Sequence, residues 1–281
     1  GTKYVKPAAS PFTAAGTSMF CFTVVTPRGV VAPGVRPGYE QELLMMMESN
    51  RWSIFACEAS RVYEGARARR GSWQSVANTD VFISAWEEVR ADGLYSVHDW
   101  TVKVDADAVF FPDRLKAHLV SLSPPRDTAV YLHNIQFEFH FQGALEVISA
   151  QAVDILLASA MTCAEHFGRN GGEDLFTMQC LDSLGVGHMT DFSLLNDKYT
   201  QEEGWNLFDV NPCSDQAYVA FHPYKAVNSW AGCYKVSMGI QAPADFVGCD
   251  YRWQGDACSL NGTRQHANGT AEPTDGIVFR K

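Results

Sequence analysis

The chain has 281 residues, of which 46% are apolar, and its formal net charge is −10. This length and composition suit one large α/β domain, or one domain with a small appendage, and the acidic balance argues against nucleic acid as a partner. No apolar run approaches the roughly 18 residues of a membrane span, so we expect contact with a membrane only through an N-terminal anchor outside this sequence.

The first segments indicate a lead-in followed by a buried strand. Residues 1–17 contain Pro7 and Pro11 and resemble a stem, while residues 18–26 form a continuous apolar and β-branched run, typical of a buried parallel strand. Residues 27–38 are rich in Pro and Gly. An open α/β sheet binds nucleotides beyond the carboxyl ends of its strands, although a plain connection fits this loop equally well. Thr26 and Arg28 are therefore candidate nucleotide contacts.

The next segments are predicted as helix, strand and helix. Residues 39–50 are helical by composition, residues 52–59 read as a second strand, and residues 80–91 have apolar side chains at helical spacing. The arginines within residues 61–71 form a local basic patch in an acidic protein. A surface loop is the favoured interpretation of that patch, with a phosphate site as the alternative.

The central stretch, residues 100–119, predicts a buried strand that ends at Asp105 and Asp107, followed by a helix with Pro112 near its start. Two aspartates two residues apart face the same way if the backbone stays extended. They can then hold one hard divalent cation together, or one can bind the metal while the other accepts a sugar hydroxyl. Because unpaired buried charge is costly, a metal role is favoured over a pair of solvated loop acids.

The second half adds three more candidates for the same site. Strands are predicted at residues 129–134 and, by alternation, at 135–141, and a strong helix at 150–163. Glu173 and Asp174 begin a further helix, where the dipole and free N–H groups stabilise carboxylates, so that a capping role and a chemical role both fit. His222 ends a short strand within residues 217–225. It can complete the coordination of a metal held by the two aspartates, or it can be structural.

The cysteines and the tail point to a secretory compartment. The chain has eight cysteines, none in a C-x-x-C pair, and its Gly- and Asn-rich tail carries glycosylation sequons at Asn261 and Asn268. We therefore predict a disulfide-containing, glycosylated C-terminal extension over residues 236–281. Cys249–Cys258 is the first pairing to expect within it.

Four segments, taken in order, resemble the β-1,3-glycosyltransferases of the galactosyltransferase, N-acetylglucosaminyltransferase and Fringe group. The segment at residues 103–115, KVDADAVFFPDRL, is similar to that family's K-x-D-D-D-V-F-V, with Ala106 in place of the middle acid. Residues 143–157, GALEVISAQAVDILL, resemble its G-x-G-Y-V-L-S segment and the helix that follows. Residues 173–186, EDLFTMQCLDSLGV, are similar to E-D-V-Y-x-G-x-C-L-x-x-L-G, and residues 220–225, AFHPYK, resemble the segment of its late metal-binding histidine.

The resemblance implies an α/β fold of the GT-A type, a Rossmann-like mixed sheet flanked by helices with a small Cys- and Gly-rich C-terminal tail. The catalytic domain would span residues 18–235. Residues 18–107 would form the nucleotide-sugar half and residues 108–235 the acceptor half.

The same resemblance implies roles for single residues. Asp105, Asp107 and His222 would hold Mn²⁺, with Mg²⁺ as the alternative ion, and Asp105 would also lie close to the sugar or ribose. Asp174 matches the family's general base, which takes the proton of the acceptor hydroxyl. Lys103 and Glu173 complete the set as candidate contacts of the nucleotide sugar.

The function implied is transfer of a sugar, with galactose or N-acetylglucosamine favoured, from a UDP-sugar to a hydroxyl of a glycan or glycoprotein. We expect inversion at the anomeric carbon and a location in the Golgi lumen. Two alternatives remain open from the sequence. One is a retaining enzyme with the same metal site and no base, and the other is a catalytically silent domain that binds glycans or protein partners.

Overall fold

The computed structural model describes residues 15–29, 38–65, 69–70, 76–200 and 211–240, together with three short strands beyond them. Within these residues the strands are β1 (Met19–Val25), β2 (Ala59–Glu64), β3 (Arg69–Arg70), β4 (Val76–Ala77), β5 (Trp100–Val104), β6 (Val109–Phe110), β7 (Val130–His133), β8 (Leu145–Ser149), β9 (Gly187–Thr190), β10 (Leu195–Asp197), β11 (Ala220–His222), β12 (Ala257–Cys258), β13 (Arg264–Gln265) and β14 (Ala271–Glu272). The α-helices are α1 (Tyr39–Asn50), α2 (Thr79–Asp92), α3 (Pro112–Leu122), α4 (Ala150–Phe167), α5 (Glu173–Ser183) and α6 (Val227–Ser237).

A six-stranded mixed sheet with the order β2-β1-β5-β8-β7-β9 forms the centre of the described structure. β1 runs parallel to β2 and β5, β8 runs antiparallel to β5 and β7, and β9 is parallel to β7. Because Val104 pairs with Leu145, the carboxyl end of β5 lies beside the amino end of β8. The residues that follow β5 therefore meet the residues that precede β8.

A second sheet has three strands in the order β10-β11-β6. β6 follows β5 after a short turn and pairs antiparallel with β11, which in turn runs parallel to β10. Its apolar residues join the core on one face of the main sheet. Through this sheet, a segment more than a hundred residues away in sequence (about residue 220) is placed against the turn after β5.

Helices cover both faces of the main sheet, which confirms the predicted α/β class. Side chains alternate along each strand, so Phe20 and Phe22 of β1 pack with α2, α4 and α5, whereas Met19 and Cys21 face the layer that contains α3. A third cluster joins α1 and α6 around Trp230. The helices predicted at residues 39–50, 80–91 and 150–163 are confirmed as α1, α2 and the first part of α4.

The strand predicted at residues 52–59 is wrong. Ser53–Ala56 form a 3₁₀ turn, and the neighbouring strand β2 begins only at Ala59. The apolar side chains there serve other contacts: Trp52 stacks on Tyr234 with 4.2 Å between ring centroids, and Cys57 forms a disulfide with Cys21 of β1. A short apolar run does not distinguish a strand from a turn that is buried for such reasons.

The antiparallel strand predicted at residues 135–141 is also wrong. The segment is a loop in which Glu138 and His140 have positive φ angles of 45° and 64°, and the N–H of Asn134 bonds the carbonyl of His140 at 2.9 Å. Phe141 is buried in the core beside Tyr131, with 5.2 Å between the ring centroids. The alternation of phenylalanines therefore does not reflect strand pairing: Phe141 is buried, Phe139 is half-buried and Phe137 is exposed.

Three disulfides stabilise the described part of the chain: Cys21–Cys57, Cys163–Cys180 and Cys213–Cys233. Bonds of this kind form and persist in oxidising compartments, which agrees with a secreted or lumenal protein. None of the described helices combines the length and hydropathy that a membrane crossing requires.

Several predictions from the sequence concern residues outside those that the structure describes. They are most of the stem, most of the loop at 27–38, the sequons at Asn261 and Asn268, and the Cys249–Cys258 pairing. The described backbone beyond residue 240 consists of β12, β13 and β14, which pair antiparallel in one small sheet.

Candidate metal centre and its acidic surroundings

Asp105 and Asp107 lie in a tight turn at the carboxyl end of β5. The N–H of Ala108 donates to the carbonyl of Asp105 at 2.9 Å, and the N–H of Asp105 donates to the carbonyl of Ala144 at 3.1 Å. The chain therefore reverses here and does not continue as the extended backbone assumed from the sequence. The two carboxylates approach each other through this turn, with Asp107 buried and the side chain of Asp105 about one-third exposed.

The second sheet brings His222 to the same place. β11 pairs with β6, and the N–H of Tyr224 then donates to the carbonyl of Asp107 at 2.8 Å, which holds the segment after β11 against the turn. One ligand atom from each of Asp105, Asp107 and His222 lies within 4.8 Å of the other two. The structure thus brings together the three metal ligands predicted from the sequence.

This donor set suits a divalent cation. Carboxylate oxygens and an imidazole nitrogen are ligands that Mn²⁺ accepts, and carboxylates suit Mg²⁺ as well. His222 Nε2 lies 3.5 Å from an oxygen of Asp107, and Nδ1 lies 2.8 Å from Asp197 Oδ2. A carboxylate on the far nitrogen fixes the ring orientation of a metal-binding histidine. Asp197 is therefore a site residue that sequence reasoning missed, because it ends a three-residue strand with no recognisable motif.

In the structure, protein cations neutralise Asp107. Lys225 Nζ donates to Asp107 Oδ2, and His222 faces the other oxygen. Burial opposes ionisation of Asp107, but Lys225 and His222 outweigh it and hold the pKa of that carboxyl far below its usual range. Burial likewise opposes the imidazolium, yet Asp107 and Asp197 raise the pKa of His222 to about 10. A divalent cation would take over the charge that Lys225 and His222 supply here.

A second group of charges surrounds Lys103, whose side chain is fully buried. Its ammonium donates to the carbonyl of Gly143 at 2.6 Å and contacts Asp105 Oδ1 at 2.7 Å and Glu173 Oε1 at 2.8 Å. An ammonium has three N–H donors, and these three acceptors use all of them. Burial lowers the pKa of Lys103, but the nearby carboxylates raise it by a larger amount. The pKa is therefore above its usual value, and the side chain stays charged. Lys103 and Glu173 are thus close to the predicted site, but they pair with each other.

Glu146 lies opposite Lys103 on β8 and is fully buried. Among the described residues, neither of its carboxyl oxygens has a hydrogen-bond partner. Burial raises the pKa of Glu146 well above its usual value, and Lys103 opposes that shift without cancelling it. A neutral carboxyl accounts for both observations, because a buried carboxylate without donors would be far more costly.

Asp174 lies in the first turn of α5, where Gly172 occupies the cap position. Its Oδ1 accepts the N–H of Leu175 at 2.8 Å, and Oδ2 accepts the N–H of Gly143 at 3.3 Å. Burial and the neighbouring charge of Glu173 raise the pKa of Asp174 to about 7, against the opposing effect of these two N–H groups and of Lys103. A carboxyl with this pKa exchanges protons readily at neutral pH, as a general base must.

Gly143 connects Asp174 with the Lys103 group. Its N–H donates to Asp174 and its carbonyl accepts from Lys103. A Cβ atom at this position would lie 2.5 Å from Glu173 Oε1 and 3.4 Å from Lys103 Nζ. The position therefore requires glycine, because the chain passes directly over the buried ion pair.

Thr26 and Arg28, the candidates at the end of β1, are placed less directly. The N–H of Thr26 donates to Glu40 Oε2 at 2.8 Å, which joins the end of β1 to the start of α1. Arg28 is exposed where the loop begins. In the described part of the chain, neither residue makes a hydrogen bond or ion pair with Asp105 or Asp107.

No protein-family model matches the sequence, and no curated protein matches it. Among solved structures, the chain is similar to a glycosyltransferase involved in the glycosylation of the major capsid of PBCV-1, with a TM-score of 0.46 and 9% sequence identity. That similarity covers 73% of this chain and 93% of the other. A likeness at this level does not establish an activity.

Replacing Gly143 with alanine should destabilise the protein. The added methyl group would press on Glu173, which cannot move without leaving Lys103, and we expect a loss of about 1–3 kcal/mol in the free energy of unfolding. Urea denaturation measures it. Gly171→Ala is the matched control, because a Cβ there meets no atom within 4 Å. Equal stability of the two variants would contradict the packing described here.

Replacing Glu146 with glutamine should stabilise the protein, increasingly so as the pH rises. Glu146 is neutral when folded but ionises in the unfolded chain above a pKa of about 4.3, so wild-type folding must take up a proton at neutral pH. Glutamine avoids that cost. The stability gained should increase from near zero at about pH 4 by up to about 1.4 kcal/mol per pH unit, until the folded pKa is reached.

Urea denaturation at pH 5, 6, 7 and 8 measures the effect of Glu146→Gln. Exposed Glu165 on α4 offers the control Glu165→Gln, which should follow the wild-type pH dependence. Parallel curves for Glu146→Gln and wild type would show that Glu146 is ionised in the folded protein, contrary to the interpretation above.

Proposed function

We propose that this protein is a metal-dependent glycosyltransferase of the GT-A type. It transfers a sugar from a nucleotide sugar, with a UDP-sugar favoured, to a hydroxyl of a glycan or glycoprotein, with inversion. One observation carries the proposal. The four separate segments that resemble β-1,3-glycosyltransferases converge on one place, where Asp105, Asp107 and His222 form a cation-binding group and Lys103 connects that group to the start of α5.

The metal role falls to Asp105, Asp107 and His222, with Asp197 orienting the imidazole. When bound, Mn²⁺ or Mg²⁺ would stabilise the negative charge that develops on the leaving diphosphate. The donor site would lie at the carboxyl ends of β1 and β5, where open α/β sheets bind nucleotides. Thr26 and Arg28 stay candidates for donor contacts at the end of β1.

Asp174 would act as the general base. Its carboxyl is held by two backbone N–H groups, and its pKa of about 7 favours both the uptake and the release of a proton at neutral pH. The acceptor hydroxyl would pass its proton to Asp174 as its oxygen attacks the anomeric carbon. Lys103 and Glu173 would fix the position of α5 relative to Asp105, so we assign them a positioning role.

The compartment proposed is the Golgi lumen. Three disulfides within the described residues agree with folding in the secretory pathway, and glycosylation at Asn261 and Asn268 would agree with it too. We also keep the proposed division into a nucleotide-sugar half, residues 18–107, and an acceptor half, residues 108–235. The turn at Asp105 and Asp107 lies where these two halves join.

A donor screen tests the proposal. UDP-galactose, UDP-N-acetylglucosamine, UDP-glucose, UDP-xylose and GDP-mannose are each offered with Mn²⁺, Mg²⁺ or EDTA, and release of free nucleotide is recorded. We expect metal-dependent release from one donor, lowered at least about a hundredfold in Asp107→Ala, as for loss of a main electrostatic stabiliser. Asp113→Asn, an exposed change on α3, is the control and should retain activity.

No release from any donor, together with no thermal shift on adding UDP and Mn²⁺, would contradict the glycosyltransferase proposal. A catalytically silent binding domain would then be favoured. In that case Asp107→Ala would leave binding of glycans or partners unchanged.

The pH dependence of the reaction tests the role of Asp174. Since the base must be ionised, kcat/KM should fall about tenfold per pH unit below the pKa of about 7 and level off above it. Asp174→Asn should lower the rate by about 10²–10⁴-fold and remove this dependence. The anomeric configuration of the product, measured by NMR, should be inverted. Retention of configuration with an active Asp174→Asn variant would favour the retaining alternative.

A further inference from the structure

Lys225 is a cation in the site, and it is neither one of the predicted metal ligands nor the proposed base. It follows His222 by three residues, and its Nζ donates to Asp107 Oδ2. The same atom lies 5.4 Å from the ring centroid of Tyr39, the first residue of α1. The side chain is 16% exposed, so most of it is removed from solvent.

This contact conflicts with metal binding. Asp107 has two carboxylate oxygens, of which Lys225 binds one and His222 faces the other at 3.5 Å. A divalent cation at the site needs an oxygen of Asp107, and it would repel an ammonium bound to the same carboxylate. Lys225 must therefore weaken the binding of the cation, or turn away from Asp107 when the cation binds.

The structure around Lys225 indicates where it would turn. Lysine carries its charge on a flexible four-carbon stem with three rotatable donors, so the ammonium can change partners without movement of the backbone. Tyr39 places it beside the start of α1, the helix that follows the loop after β1. The start of α1 lies at the carboxyl end of β1, which is the end of the sheet where the nucleotide sugar of the proposed reaction would bind. The anion arriving there is a diphosphate.

We propose that Lys225 is a diphosphate-binding residue, which occupies Asp107 until the divalent cation binds and then pairs with the diphosphate of the donor. This inference rests on the proposed function. When the bond between the sugar and the diphosphate breaks, its electron pair stays on the phosphate oxygen, and the acceptor proton passes to Asp174. Lys225 would stabilise the charge left on that oxygen, as a fixed cation does at a developing oxyanion.

The inference predicts that metal and nucleotide respond in opposite directions to the loss of Lys225. In Lys225→Met, Mn²⁺ alone should bind about tenfold tighter or more, because no ammonium competes for Asp107. UDP at saturating Mn²⁺ should bind about 10–100-fold more weakly, through the loss of one charged hydrogen bond. UMP, which lacks the second phosphate, should change less than UDP. Lys225→Arg keeps the charge and should retain most of the affinity for UDP.

Isothermal titration calorimetry measures these affinities without relying on turnover. Mn²⁺ is titrated first, and UDP, GDP or UMP is then titrated at saturating Mn²⁺. Lys235→Met on α6 is the matched control and should bind both as wild type does. Circular dichroism establishes that each variant is folded, and Lys225→Gln replaces Lys225→Met if the latter is not.

Two results would overturn the inference alone. They are weaker binding of both Mn²⁺ and UDP in Lys225→Met, which would make Lys225 a permanent support of Asp107, and unchanged binding of UDP. A wild-type protein that binds Mn²⁺ but neither UDP nor GDP would instead contradict the proposed function, and this inference with it.

Discussion

The buried ammonium of Lys103 is the interaction on which the rest of the site depends. It lies on the face of β5 that packs against α2 and α5, and it neutralises carboxylates from two distant segments, Asp105 after β5 and Glu173 at the start of α5. Burying such charges costs several kcal/mol per ion unless partners satisfy them. The ion pair therefore fixes α5, the loop at Gly143 and the turn at Asp105 in one arrangement. That arrangement also determines the position of Asp174.

The two aspartates of the turn differ in the groups that neutralise their charge. Asp105 contacts Lys103, which has no N–H left for another ligand, so this pairing is part of the fold. Asp107 contacts Lys225, whose flexible stem lets it turn away, and His222, whose ring Asp197 holds in place but whose imidazole can give up a proton. One carboxylate thus belongs to the framework and the other is open to exchange. A divalent cation with a diphosphate ligand suits a site of this kind. The cation would replace the positive charge that Lys225 and His222 give to Asp107, and the negative diphosphate could pair with the ammonium that is released.

Two disulfides cross-link the elements that contribute site residues. Cys163–Cys180 joins α4 to α5, the helix that begins with Glu173 and Asp174, and Cys213–Cys233 joins the segment before β11 to α6. Both bonds close loops within the part of the chain that contributes His222 and Asp174. Cys163–Cys180 limits movement of α5 relative to α4, and Cys213–Cys233 limits movement of the segment before β11 relative to α6. Such bonds agree with a protein that works in an oxidising compartment.

The α/β class, the main helices, the carboxylates after β5 and the strand that ends at His222 could be predicted from the amino-acid sequence, because each follows from local periodicity or spacing. It was wrong at residues 52–59 and 135–141, where tertiary contacts and not the local pattern account for the burial of apolar side chains. Which charged side chains contact each other could not be predicted, because that depends on how distant segments pack together. The pairing of Asp197 with His222, of Lys225 with Asp107 and of Lys103 with Glu173 joins segments far apart in the chain, and a local sequence pattern does not record such contacts.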